Sequence, residues 1–126
     1  MKRLLLLLLP AIAALAAGCA TTSRLAADPR IVVDPSVSSA IQVLTVDYGE
    51  TQGANPVVSL AVRNDGGTPR RIRYRAVWFA PDGNPVDSIL SIWKSSTLDP
   101  GEIADIRAVS PRPDAQDFRI EIRKGR

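Results

Sequence analysis

The sequence predicts an all-β fold, an immunoglobulin-like β-sandwich preceded by a signal peptide and a flexible tether. Three observations carry that prediction. From residue 40 onward, apolar side chains recur at every second position in short runs, the period of a strand with one dry and one wet face. Clusters of Asn, Asp, Gly and Pro separate those runs, and each is turn chemistry. Beyond the leader, no segment of ten or more residues shows a helical period.

The leader comes first, over residues 1–18. Lys2 and Arg3 form a basic head, Leu4 to Ala17 an apolar run broken by Pro10, and Ala16-Ala17-Gly18 a small-residue patch. This is the layout of a secretory signal. The run is shorter than the ~20 apolar residues a membrane-spanning helix needs. Cys19 follows the patch directly and is the only cysteine of the chain. Ala16-Ala17-Gly18-Cys19 resembles the bacterial lipobox, Leu-(Ala/Ser)-(Gly/Ala)-Cys, with Ala16 in the place where Leu is usual. The resemblance implies cleavage between Gly18 and Cys19 and a diacylglycerol on the Cys19 thiol. One acyl chain anchors only reversibly; two or three hold a protein on the bilayer. Ala20, where an Asp would retain a lipoprotein at the inner membrane, points to the outer membrane, facing the periplasm.

Residues 19–39 carry the lipid and then read as tether, rich in Ala, Ser, Thr, Asp and Pro without sustained periodicity. Within them, 30–34 (RIVVD) suggests a short edge strand. The sandwich domain is expected over 40–126. AIQVLTVDY (40–48) is rich in β-branched residues, and VVSLAVRN (57–64) places Val58, Leu60 and Val62 on one face. RRIRYRAVWF (70–79) places Ile72, Tyr74, Ala76 and Trp78 on one face and Arg71, Arg73 and Arg75 on the other. PVDSILSIW (85–93) is a less regular candidate strand. EIADIRAV (102–109) sets Ala104, Ile106 and Ala108 against Ile103 and Arg107. FRIEIR (118–123) sets Phe118, Ile120 and Ile122 against Arg119, Glu121 and Arg123. Turns are expected at 64–67, at 81–84 and at Asp99-Pro100-Gly101. An open barrel of the OB type is the alternative architecture. The phrase TLDPGEIADIRA also resembles the Leu-x-Pro-Gly-Glu turn and strand of many bacterial immunoglobulin-like modules.

Composition narrows the function. The chain has 126 residues, enough for one domain. Removing Lys2 and Arg3 from its 16 basic residues leaves 14 against 13 acidic ones, so a processed chain is near neutral and a general affinity for polyanions is not implied. Histidine is absent, which removes Ser-His-Asp and Cys-His chemistry and the commonest general base. A lone cysteine forms no disulfide within the chain. No enzyme and no cofactor are expected.

Each candidate site has a plain reading beside it. Ser91-Ile92-Trp93-Lys94 matches the S-x-x-K of penicillin-binding enzymes, which also need a K-T-G strand and a larger fold. Asp82, Asn84 and Asp87 look like part of a calcium loop but lack its later Gly and Glu; turn chemistry accounts for them. Trp78 and Trp93 are both read as core. Arg71, Arg73 and Arg75 form a basic stripe, extended by Arg63 or by Arg119 and Arg123 on neighbouring strands. The stripe is either a binding face for an anionic glycan, lipid headgroups or an acidic protein, or a solvated sheet face paired across strands with Glu121. Nucleic acid is not expected, because an exported chain meets little of it.

Taken together, these features resemble the YcfL-like small bacterial lipoproteins. Cys19, Ile72-x-Tyr74-Arg75-x-x-Trp78-Phe79, Gly83 in the next turn, and Leu98-x-Pro100 before a strand carry the resemblance. It implies an envelope lipoprotein with a sandwich-like domain, no established enzymatic activity and a link to envelope maintenance. The expected role is that of a periplasmic protein-binding adaptor, held to the membrane by lipid on Cys19 and meeting an envelope protein. A glycan- or anionic-lipid-binding module using the arginine face is the alternative.

Overall fold

The structure, a computed structural model, describes residues 28–126. The leader, the Gly18–Cys19 junction with its lipid attachment site and the first part of the expected tether lie outside the described residues. Seven strands follow in order: β1 (Ile31–Val33), β2 (Ile41–Glu50), β3 (Pro56–Asn64), β4 (Arg70–Phe79), β5 (Lys94–Leu98), β6 (Ile103–Val109) and β7 (Asp117–Lys124). A short helix α1 (Pro35–Ser38) joins β1 to β2, and a 3-10 turn (Ile89–Ser91) precedes β5.

The strands form a β-sandwich. One sheet has the order β1-β7-β4-β5 and the other β2-β3-β6; the two are separate, unlike the open barrel of the alternative reading. Side-chain alternation explains the two layers. β3 turns Val58, Leu60 and Val62 inward, β7 turns Phe118, Ile120 and Ile122 inward, and β4 contributes Ile72 and Trp78. Burying a side chain of this size is worth about 1.5–3 kcal/mol. Trp78 and Phe118 pack with ring centroids 5.5 Å apart in a tilted arrangement, the geometry their quadrupoles prefer. In β2 the register slips between Val43 and Thr45. That bulge changes the strand's phase, so Ile41 and Val43 before it and Val46 after it all pack on the core.

The pairing keeps much of the immunoglobulin plan. β2-β3-β6 matches the A-B-E part of one sheet, and β4 beside β7 matches the C–F pair of the other. Two positions differ. β5 pairs with β4 rather than with β6, and the place beside F that a G strand would take is filled by β1. β1 runs parallel to β7, with Ile31 opposite Ile120 and Val33 opposite Ile122.

β1 and α1 lie inside the stretch expected as tether. Ile31 and Val33 pack on the core, and Val37 of α1 is fully inside it. Asp34 caps α1 by accepting from Ser36 N at 2.9 Å, and Pro35 starts the helix. The sandwich therefore takes in residues that composition alone assigned to a linker. The candidate strand 85–93 is also corrected. Only Pro85 bridges Phe79, and Val86 N donates to Trp78 O; the chain then leaves the sheet, because the apolar side chains that suggested a strand, Ile89 and Ile92, are exposed.

The predicted turns close as their residues require. Gly83 and Gly101 both have positive φ, 83° and 78°, the region open to glycine. Asn64 ties one turn to the opposite sheet. Its side chain is fully buried; it donates to Thr68 O and Leu98 O, each at 2.9 Å, and accepts from Gly66 N at 2.9 Å.

Candidate functional site

The outer face of the four-stranded sheet carries the arginines. Alternation in β4 points Arg71, Arg73 and Arg75 away from the core, and alternation in β7 does the same for Arg119, Glu121 and Arg123. Register then decides neighbours: Arg73 lies opposite Arg123, Arg75 opposite Glu121 and Val77 opposite Arg119. Five arginines share this face with two acids, Glu121 among them and Asp117 at its far end opposite Phe79, a local excess of three positive charges.

Two cations directly opposite one another repel. The Arg73–Arg123 pair is relieved by Trp93, which sits over the sheet just before β5. The guanidinium carbon of Arg75 is 4.7 Å from the indole centroid, that of Arg73 4.9 Å and that of Arg123 5.1 Å. All three are within the range of cation–π attraction, about 0.5–1 kcal/mol at exposed sites. Glu121 completes the cluster. Its Oε2 accepts from Arg75 Nε at 2.9 Å and lies 3.8 Å from Arg123 Nη2. Arg73 Nε is buried without a hydrogen-bond partner. Among the described residues, Arg73 and Arg119 have no carboxylate within ion-pair distance.

Arg71 stands at the end of the cluster. Its Nη1 donates to Arg126 O at 2.8 Å, and its own carbonyl accepts from Gly125 N. The approach is close enough that a Cβ at position 125 would collide with the Arg71 side chain. Arg71, Arg73, Trp93, Ser95 and Arg126 line a shallow depression there.

The structure thus brings Arg73 and Arg75 together, adds Arg123 and Glu121 as the cross-strand reading expected, and leaves Arg71 beside the C-terminal segment. Two expectations are corrected. Arg63 is on the other sheet, paired with Asp65, and does not extend the stripe. Trp93 is half-buried on the arginine face and not in the core. Trp78 is in the core, at 4% exposure. The signal for Trp93 was weak: it follows an apolar segment whose side chains face outward. Ser91 and Lys94 lie in different elements, the 3-10 turn and the first position of β5. Asp82 and Asn84 form a turn: Asp82 accepts from the Asn84 backbone and side chain, at 2.9 and 3.0 Å. Those bonds hold the Asp82 carboxyl below its ordinary range.

A second cluster fastens β1. Arg30 makes a two-pronged pair with Asp28, at 3.0 and 2.8 Å, and donates to Tyr48 Oη at 2.9 Å. Its guanidinium lies over the rings of Phe118, at 4.3 Å, and Tyr48, at 5.1 Å. Tyr48 Oη donates to Asp28. The Arg30 side chain holds the Asp28 carboxyl far below the usual carboxylate range, against the opposing effect of burial. Partial burial, helped by the bond to Asp28, raises the Tyr48 hydroxyl above its ordinary value.

The family model described as "Protein of unknown function (DUF1425)" matches residues 29–124. The fold is similar to the crystal structure of Campylobacter jejuni cj0090, with a TM-score of 0.65 and 15% identity over 78% of this chain and 100% of that one. It is also similar to a DUF1425 family member from Shewanella sp. pv-4, with a TM-score of 0.59 and 19% identity over 68% of this chain and 78% of that one. No curated protein matches the chain.

Proposed function

We propose that this chain, which belongs to the DUF1425 family, is a lipid-anchored envelope lipoprotein, YcfL-like, whose sandwich is a binding module and not an enzyme. The observation that carries the reading is the cluster of Arg73, Arg75 and Arg123 around Trp93, with Glu121 paired to Arg75. Arginine forks suit carboxylate and phosphate. The Trp93 contacts and the Glu121 pair hold three of these side chains in place, so less freedom is lost when a ligand binds. The lipobox-like Cys19 supports anchoring, and Ala20 supports the periplasmic side of the outer membrane. As an adaptor, the module would meet an acidic surface of an envelope protein; as the alternative, an anionic glycan or lipid. The excess of positive charge on the face favours an anionic ligand in either case.

Radioactive palmitate supplied to cells tests the anchor. Wild-type chain is expected to take up label and the Cys19→Ala variant to take up none. Label that persists in the variant overturns the lipoprotein reading. Crosslinking from the arginine face in membranes tests the module: a reproducible acidic or anionic partner is expected, and its absence counts against binding.

A further inference from the structure

Resting on that reading, and naming its ligand, we infer that the arginine face and the apolar turn beside it dock onto an anionic lipid surface, the leaflet that holds the anchor. Two independent features of the surface point to lipid. The first is charge: Arg71, Arg73, Arg75, Arg119 and Arg123 share a sheet face with two acids, Glu121 and Asp117, and Asp117 stands at the far end beside Arg30. The second is apolar exposure at the sandwich edge that adjoins this face, where Ile92 borders a cavity with Arg75, Trp78 and Ile106. Ile89 is 85% exposed and Ile92 58% exposed. Both belong to the turn that leads into Trp93 and packs beside β4.

A soluble polyanion would satisfy the arginines and leave both isoleucines in water. A bilayer receives all three groups. Phosphates meet the guanidiniums, aliphatic side chains enter the interfacial zone, and a half-buried indole suits the headgroup level. Stacking on a sugar ring is disfavoured for a different reason. Three guanidiniums already pack against Trp93, so its ring is not free.

Chain length places the face within reach. Residues 20–27 separate Cys19 from Asp28. They span about 30 Å at full extension and about 15 Å as a coil. The sandwich they lead into begins with β1, the edge strand of the same sheet that carries the arginines. An anchored chain therefore keeps this face near the leaflet, and docking becomes an intramolecular step at high effective concentration.

The test reads Trp93 directly. Full-length chain is reconstituted into phosphatidylcholine vesicles, or into vesicles with added phosphatidylglycerol, each with and without brominated lipid. The chain is held on both vesicles by its leader or its lipid, so the readout is contact and not attachment. Subtracting the emission of a Trp93→Phe variant isolates Trp93 from the buried Trp78. Quenching of the Trp93 share is expected on anionic vesicles and much less on neutral ones. Each cation near an anionic surface strengthens docking about fivefold, so Arg71→Gln, Arg73→Gln and Arg123→Gln together should lower the docked-to-undocked ratio on the order of a hundredfold. Ile89→Ser, at the more exposed of the two positions (85%), should also reduce quenching. No quenching on anionic vesicles, or equal quenching on neutral ones, overturns the proposal. If the isoleucine variant is quenched like wild type, the face is a purely electrostatic surface and the assignment to lipid fails. The palmitate experiment reads the anchor separately, because Trp93 contact survives a failed anchor whenever the leader holds the chain.

Discussion

Replacing Asn64 by Ala should cost about 2–5 kcal/mol, and the figure follows from its bonds. The side chain is fully buried and closes three bonds at 2.9 Å, to Thr68 O, Leu98 O and Gly66 N. Alanine satisfies none of them. Leu98 O lies where the bond is buried; an orphaned group there costs about 1–3 kcal/mol. The Thr68 and Gly66 bonds are only part-buried, so water replaces much of what is lost and each contributes less, about 0.5–1 kcal/mol. For a domain near 100 residues, each 1 kcal/mol moves the melting temperature by about 4–8 °C. The variant should therefore melt roughly 8–40 °C lower, read by circular dichroism or calorimetry. Asn64→Asp keeps the Gly66 bond but turns an oxygen toward two carbonyls, and should be at least as damaging near neutral pH. A drop below about 1 kcal/mol for Asn64→Ala would show that this side chain does not join the two sheets, and the account of the inter-sheet tie would be wrong.

Other outcomes follow from the same geometry. Asp28 has its pKa depressed by Arg30, so the pair stabilises the fold above the ordinary carboxylate value near ~4 and that contribution fades as the pH falls below it. Wild type should thus lose more stability between pH 5 and pH 2.5 than Asp28→Asn; parallel acid curves for the two would refute the clamp. Ala54 holds a positive φ of 61°, a region that costs a residue with a Cβ about 1–2 kcal/mol. Glycine relieves that and returns about 0.4–1 kcal/mol as unfolded-chain entropy, so Ala54→Gly should be stabilising by up to ~1 kcal/mol in urea denaturation; clear destabilisation would contradict it. Glu121→Gln removes the acid that pairs with Arg75. It should cost at most about 1 kcal/mol of stability, because the Arg75 side chain of the pair is 34% exposed. It should also raise affinity for anionic vesicles about fivefold, and a fall in affinity would mean that Glu121 acts by positioning Arg75.

Much of this architecture was legible in the sequence. β2, β3, β4, β6 and β7 announce themselves because each sets a row of Val, Ile, Leu or aromatic residues against a polar row. β5 does not. Only Leu98 of its five residues is buried, and the Ser and Thr that precede it carry no period. β1 was legible as a short edge strand, but not as the strand that fills the G position, because its partner β7 lies at the far end of the chain. The site divides the same way. Arg71, Arg73 and Arg75 are neighbours by alternation within one strand, so the sequence shows them. Trp93 joins them only because the long β4–β5 connection folds back over the sheet, and no local pattern encodes that return. Ile89 and Ile92 were misleading for a related physical reason: hydropathy marks an apolar residue as core whether it is buried or displayed.

The central claim is that the arginine–tryptophan face is the working surface of this protein. A photo-crosslinking residue placed at Thr97, exposed on that face beside Arg71, tests it most directly against one at Gln42, exposed on the opposite sheet. In intact cells, the account predicts abundant lipid adducts from position 97 and few from position 42. Equal adducts from both positions, or none from position 97, would contradict it.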